Sequence, residues 1–230
     1  HSYSSAASDV YKRQILSMKK SIIIDFDHTI GCFEQMIFIM NIIETTYHSR
    51  LTQDETHHLL DHYPQVFRPK LFDIFRLILF HEDTNELTFF ILYTCNNNPS
   101  FVKTIVKYLE TKLKLLSTTS TLFHFMLFET SRTKTSKHVI DILPHEDKAD
   151  HTLCFIDNHC HKFDQSLDKI KYIKSETYIH DYNQEDILTL FPYTLFEKVN
   201  KRILVAYLNH QKLRKHKRSL PYQMYEMNSV

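Results

Sequence analysis

Apolar positions along this chain follow two rhythms. Four stretches are short, nearly continuous apolar runs rich in β-branched or aromatic residues: 20–26 (KSIIIDF), 88–93 (TFFILY), 122–129 (LFHFMLFE) and 152–157 (TLCFID). Runs of that length bounded by polar residues predict buried strands. A shorter run, KYI at 171–173, suggests a fifth. Between the runs, apolar residues recur three or four positions apart. That spacing predicts helices over 33–48, 51–63, 68–80, from Pro99 onward, 136–143, 183–191 and 195–213. Thr52 and Glu55 form a capping-box pattern. Pro69 suits a first helical turn, with Leu71, Ile74, Phe75 and Ile78 on one face. Phe101, Ile105 and Leu109 share a face of the next helix, and Ser136 is placed to cap the one after it. Strands alternating with helices predict an α/β fold. The expected architecture is a doubly wound parallel sheet with helices on both faces and a small helical insertion, 31–67, after the first strand.

In such a sheet, sites form beyond the carboxyl ends of the strands. The first run ends in Asp25-Phe26-Asp27, the second in Thr94-Cys95-Asn96 and the fourth in Asp157-Asn158. Lys137 stands at the start of the 136–143 helix. Each signal has an ordinary reading when taken alone. The aspartates could end a strand, Thr94 and Asp157-Asn158 could be turn residues, and Lys137 could be a solvated charge. Together, in order, each after a buried strand, they predict one polar rim.

Composition narrows the chemistry of that rim. The chain has one glycine, Gly31, so a glycine-rich phosphate loop is excluded. Two carboxylates and a carboxamide suit a hard cation such as Mg²⁺, which takes oxygen ligands and keeps waters for substrate. With a phosphate monoester, Asp25 would attack phosphorus, Asp27 would protonate the leaving group, and Lys137 and Thr94 would hold phosphoryl oxygens. An ordinary aspartic acid titrates near ~3.9, so the acid role requires a raised value.

The remaining signals set the context. The net charge of +1 gives no global pull toward nucleic acid. Only HQKLRKHKR at 210–218 is locally basic, a solvated helix end or else a nucleic-acid contact or nuclear address. Cys32, Cys95, Cys154 and Cys160 form no C-x-x-C pair, which favours a reducing, intracellular setting, cytoplasmic or nuclear. Cys95 reads as a packed thiol. His151, His159, Cys160 and His161 lack the spacing of a structural zinc site and read as a polar loop. No apolar run approaches a membrane span. Residues 1–17 are Ser/Ala-rich and unpatterned, which suggests a non-native or disordered leader. The expected domain covers 18–213, with a basic tail over 214–230.

The ordered set IIIDFDHT, FFILYT, SK at 136–137 and LCFID resembles the signature of the haloacid dehalogenase-like hydrolases. It is most similar to the phosphatases related to the RNA polymerase II C-terminal-domain phosphatases and the NLI-interacting-factor-like proteins. FRPKLFDIF resembles their R-P-x-L segment, Asp157-Asn158 their acidic motif, and YIKSETYIHDY the strand and tyrosine that follow. The likeness spans roughly residues 20 to 195. It implies Asp25 as nucleophile and Mg²⁺ ligand. Asp27 would be general acid/base and bind Mg²⁺ through its carbonyl, and Thr29 would orient the loop. Thr94 and Lys137 would be phosphoryl ligands, Asn158 a metal ligand, and Asp157 a support for the metal shell and Lys137. Lys134 competes with Lys137 for the lysine role, and the segment between Asp27 and Arg68 has no clear counterpart.

The leading expectation is therefore a Mg²⁺-dependent phosphomonoesterase with an aspartyl-phosphate intermediate, acting on phosphoserine or phosphothreonine in proteins. The alternatives are a polynucleotide or small-molecule phosphatase, or a catalytically silent phospho-binding module. A signalling receiver domain also uses Asp, Thr and Lys, but its motif order differs.

Overall fold

The computed structural model describes residues 19–84, 87–115, 121–131, 134–143, 151–159, 161, 170–206 and 208–209. The segments expected as a leader and as a basic tail lie outside the described residues. So does Cys160.

Five strands form one all-parallel sheet: β1 (Lys19–Ile24), β2 (Phe89–Thr94), β3 (Phe125–Phe128), β4 (His151–Asp157) and β5 (Ile170–Lys174). Their order across the sheet is β3-β2-β1-β4-β5. The chain steps outward from β1 to β3, then returns to the other side of β1 as β4. Helices flank the sheet, as expected of a doubly wound α/β fold. Those of the sheet's own unit are α3 (Leu71–Asp83), α4 (Pro99–Lys112) and α5 (Ser136–Ile142); the chain's other helices are α1 (Glu34–Tyr47), α2 (Gln53–His62) and α6 (Gln184–Leu190).

The chain divides into two compact units. The first, residues 19–32 and 67–179, holds the sheet with α3, α4 and α5. Strand side chains alternate between its faces. Ile23, Ile91, Tyr93, Leu153 and Phe155 point to one face and pack with Val139 and Leu143 from α5 and its C-terminal edge. Phe90 points the other way, where its ring meets Phe75 of α3 at 5.6 Å. Both faces are therefore covered, which is why the strands read as unbroken apolar runs.

The second unit takes residues 33–66, expected as an insertion, together with the chain from residue 180. It is helical, built on α1, α2 and α6, with further helix over 201–206 and 208–209. The expected helix over 195–213 is shorter among the described residues, because 195–200 form turns instead. Tyr63 donates to the Ile187 carbonyl at 3.0 Å and packs edge-on against Tyr182 at 5.2 Å. The α2 capping box forms as expected: Glu55 N–H donates to Thr52 Oγ1 at 3.2 Å, and Thr52 N–H to Glu55 Oε2 at 2.8 Å.

Three local expectations change. Leu71, Phe75 and Ile78 are buried, but Ile74 is 43% exposed, beside Leu77 and Phe80 on the outer side of α3. The stripe at i, i+4 and i+7 is enough to face the sheet, and Ile74 lies about 100° away from Phe75 around the helix. Pro69 precedes α3 rather than opening it, because Lys70 takes a left-handed conformation at the cap. Thr135, not Ser136, caps α5. With a single glycine in the chain, left-handed positions fall to His28, His48, Lys70 and Lys114. Each costs about 1–2 kcal/mol for a residue with a Cβ, so each must be held by its surroundings.

Candidate active site

Strand register makes the rim. Ile24 pairs with Leu92 on one side and Ile156 on the other. Asp25 is therefore level with Tyr93 and Asp157, and Thr94 stands one step beyond. The Asp25 N–H still donates to the Ile156 carbonyl at 3.0 Å, so the ladder holds the residue just past β1. This is the point where the strand order reverses, between β1 and β4, and where crevices open in such sheets. Phe26, between the two aspartates, is fully buried with its ring edge-on to Phe101 at 6.3 Å. Burial of that ring is worth about 2 kcal/mol and sends Asp25 and Asp27 toward the rim.

Asp25 is 7% exposed. One carboxylate oxygen, Oδ1, contacts Lys134 Nζ, and Oδ2 accepts from the Thr29 hydroxyl at 3.0 Å. Lys134 Nζ also donates to Asp157 Oδ2 at 2.6 Å. One buried ammonium thus bridges carboxylates from two neighbouring strands. Burial raises the Asp25 carboxyl above the ordinary range; Lys134 pulls against that rise and the Asp157 charge adds to it.

The lysine is the main correction. Lys137 is exposed on the first turn of α5, whereas Lys134 is 2% exposed and sits on both carboxylates. The cause lies at β2 and β3. Thr135 N–H donates to Tyr93 Oη at 3.2 Å, and Tyr93 donates to Glu129 at 3.1 Å. That clasp holds the residue before the helix against the sheet end, while Lys137, the second helical residue, is exposed.

Asp27 is held differently. Both of its carboxylate oxygens accept from Asn96 Nδ2, at 3.1 and 3.0 Å. Burial raises its carboxyl, the Asn96 hydrogen bonds oppose the rise, and Asp25 reinforces it. The direction is the one an acid working near neutral pH requires. Thr94 is fully buried, and its Oγ1 accepts from Asn96 N–H at 3.0 Å, which leaves the hydroxyl proton available to donate elsewhere.

Thr29 is the hub on the β4 side. Its Oγ1 accepts from Asn158 N–H at 3.2 Å while meeting Asp25 Oδ2. The Asn158 carboxamide is buried, and its inward polar atom lies 3.2 Å from Asp25 Oδ2, 3.3 Å from the Asp27 carbonyl and 3.2 Å from Thr29 Oγ1. With nitrogen inward the amide donates to these oxygens. With oxygen inward, Thr29 Oγ1 lies 3.2 Å and His159 Nδ1 3.1 Å from it, and the oxygens of Asp25, Asp27 and Asn158 converge in a set that suits a hard cation. The donor set is all oxygen and includes one carboxylate, which fits Mg²⁺ and not a thiophilic metal. Among the described residues, no three His, Cys, Asp or Glu side chains gather as metal ligands.

Two further groups were not legible as site residues. Asn96 is one of three successive asparagines, and nothing in NNN singles it out. His161 Nε2 lies 3.1 Å from Asp157 Oδ2, and His159 Nδ1 lies 3.1 Å from Asn158 Oδ1. The expected polar loop therefore contributes imidazoles to the acidic motif. Cys95 is partly buried, and burial raises its thiol, which is the wrong direction for a nucleophile.

Comparison with family models, curated proteins and solved structures finds no match. Among the described residues, no helix is long and apolar enough to cross a membrane.

Proposed function

We propose that this chain is a Mg²⁺-dependent phosphomonoesterase of the haloacid dehalogenase-like type. The observation that carries the reading is the Asp25 carboxylate, held between Lys134 on one oxygen and the Thr29–Asn158 pair on the other. Asp25, the Asp27 carbonyl and Asn158 would hold the cation, which supplies charge neutralisation at the phosphate and lowers repulsion toward an incoming carboxylate.

The remaining chemistry belongs to the chain. Asp25 Oδ1 attacks phosphorus as the ester P–O bond breaks, giving an aspartyl-phosphate. Asp27 gives its proton to the departing alkoxide. It then takes a proton from water, and the hydroxide attacks phosphorus. The acyl-phosphate P–O bond breaks, releasing phosphate and restoring the Asp25 carboxylate. Lys134 holds Asp25 and an equatorial phosphoryl oxygen, and the Thr94 proton is free to meet another. Tight burial of the nucleophile excludes bulk water from the first step.

Phosphoserine or phosphothreonine in a protein is the leading substrate. A polynucleotide end-phosphate and a sugar phosphate are the alternatives that a substrate panel separates. Among the described residues Cys32, Cys95 and Cys154 form no disulfide with one another, in keeping with an intracellular setting.

The test is phosphate release from an aryl phosphate with Mg²⁺ and with chelator. Turnover is expected only with Mg²⁺ and only with Asp25 intact. Equal, slow release by wild type and Asp25→Asn overturns the proposal, and phosphopeptide binding without release points to a binding module.

A further inference from the structure

The loop after β1 is gripped from behind by one residue. Arg68 Nε donates to the Thr29 carbonyl at 2.7 Å, and its Nη2 to the His28 carbonyl at 2.8 Å. Its backbone N–H donates to the Ile30 carbonyl at 2.9 Å. Three consecutive carbonyls, 28 to 30, thus converge on a single residue. Nη2 also reaches the Glu176 carbonyl at 2.5 Å, and the guanidinium lies over the Tyr178 ring at 5.4 Å. Tyr178 N–H donates to the His28 carbonyl at 2.8 Å, and His28 Nδ1 meets the Tyr178 carbonyl at 3.0 Å.

The loop needs such a grip. His28 sits at φ 61°, a conformation that a residue with a Cβ adopts only when held. The neighbours of His28 are the two residues whose oxygens matter most: the Asp27 carbonyl faces the Asn158 amide, and the Thr29 hydroxyl links Asp25 to Asn158. A turn of either peptide would move an oxygen out of the converging set.

We infer that Arg68 is a positioning residue that sets the 27–29 loop, and through it the affinity of the Asp25, Asp27 and Asn158 oxygens for a divalent cation. This rests on the cation-dependent reading above. Arginine is required because its planar fork reaches two adjacent carbonyls and a third across the gap, while a lysine ammonium on a flexible stem offers no fixed fork. The side chain serves the main chain from outside the rim and is not a phosphate ligand.

The experiment measures Mn²⁺ binding to the full chain by electron paramagnetic resonance, without substrate, for wild type, Asp25→Asn, Arg68→Lys and Tyr178→Ala. Arg68→Lys is expected to weaken Mn²⁺ binding about 10-fold or more, the size typical of groups that support metal ligands. Its phosphatase activity should recover at high Mg²⁺, with KM for the aryl phosphate within about twofold of wild type. Tyr178→Ala keeps the charge but removes the ring under it, and is expected to weaken binding about threefold. It serves as the test if Arg68→Lys does not fold. Wild-type Mn²⁺ affinity in the folded Arg68→Lys protein, or in Tyr178→Ala if the lysine variant is unfolded, overturns the inference while leaving the cation reading intact. A wild type that binds no Mn²⁺, or binds it equally without Asp25, overturns both.

Discussion

Lys134 Nζ stands 2.6 Å from Asp157 Oδ2 while also contacting Asp25, so Asp157 anchors the cation that faces the proposed nucleophile. The three groups come from the end of β1, the end of β4 and the residue before the α5 cap. All three are nearly excluded from solvent. Buried charges are tolerated only when paired in this way.

Removing the ammonium should therefore cost twice. Lys134→Met is expected to lower kcat/KM for an aryl phosphate by about 100-fold or more. It should also destabilise the fold by about 3 kcal/mol, because two buried carboxylates lose their partner. Lys137→Met, at an exposed position, should leave both within about twofold and about 0.5 kcal/mol. Parallel rates and urea midpoints for the two variants check this, and a larger loss at Lys137 would reverse the assignment.

Asp27 should matter in proportion to how much the leaving group needs a proton. Asp27→Asn is expected to slow an alkyl phosphate by about 10²–10⁴-fold, and a nitrophenyl phosphate much less in the first step. Rapid-quench measurement of the leaving-group burst, alcohol from one substrate and nitrophenolate from the other, separates that step from hydrolysis of the phosphoenzyme. Equal slowing of the burst for both substrates would remove Asp27 from the acid role.

Glu129 predicts an acid-side dependence of stability. Hydrogen bonds from the Ser131 side chain and N–H hold its carboxyl down at about 2 against an ordinary 4.5, with Tyr93 and His138 adding to the effect. A depressed folded value means the ionised carboxylate stabilises the protein above pH 4.5, and that this contribution is lost as pH falls from 4.5 toward 2. Between about pH 5.5 and pH 3, wild type should lose on the order of 2 kcal/mol more than Glu129→Gln. Urea unfolding at the two pH values reads the difference. Because Glu129 holds Tyr93, which in turn holds Thr135, the same variant should also loosen Lys134 and lower kcat.

Much of the rim is legible in the sequence alone. IIIDFD, LYTCN and CFIDN each combine a buried run with polar residues at its carboxyl end, and parallel strands place such ends together. The lysine was not legible. TKTSK offers two candidates three residues apart, and the choice depends on where Thr135 meets Tyr93 Oη, a contact across 42 positions. Ile74 misled for a related reason: helical spacing defines a stripe but not its width, and the sheet needed only Leu71, Phe75 and Ile78. Arg68 was visible in RPKL as a motif, but its role was not, because its partners are backbone carbonyls that no side-chain pattern announces.

Local pattern was sufficient for the strands, most of the helices, their alternation and the polar residues at the strand ends, because burial on both sheet faces forces continuous apolar runs and leaves polar residues only where those runs stop. It could not choose the ammonium, orient the Asn158 amide, seat Asn96 on Asp27 or unite residues 33–66 with the chain from 180. Those outcomes are contacts between distant segments. They depend on strand register and on which buried polar group finds a partner, and both are settled only when the chain has packed.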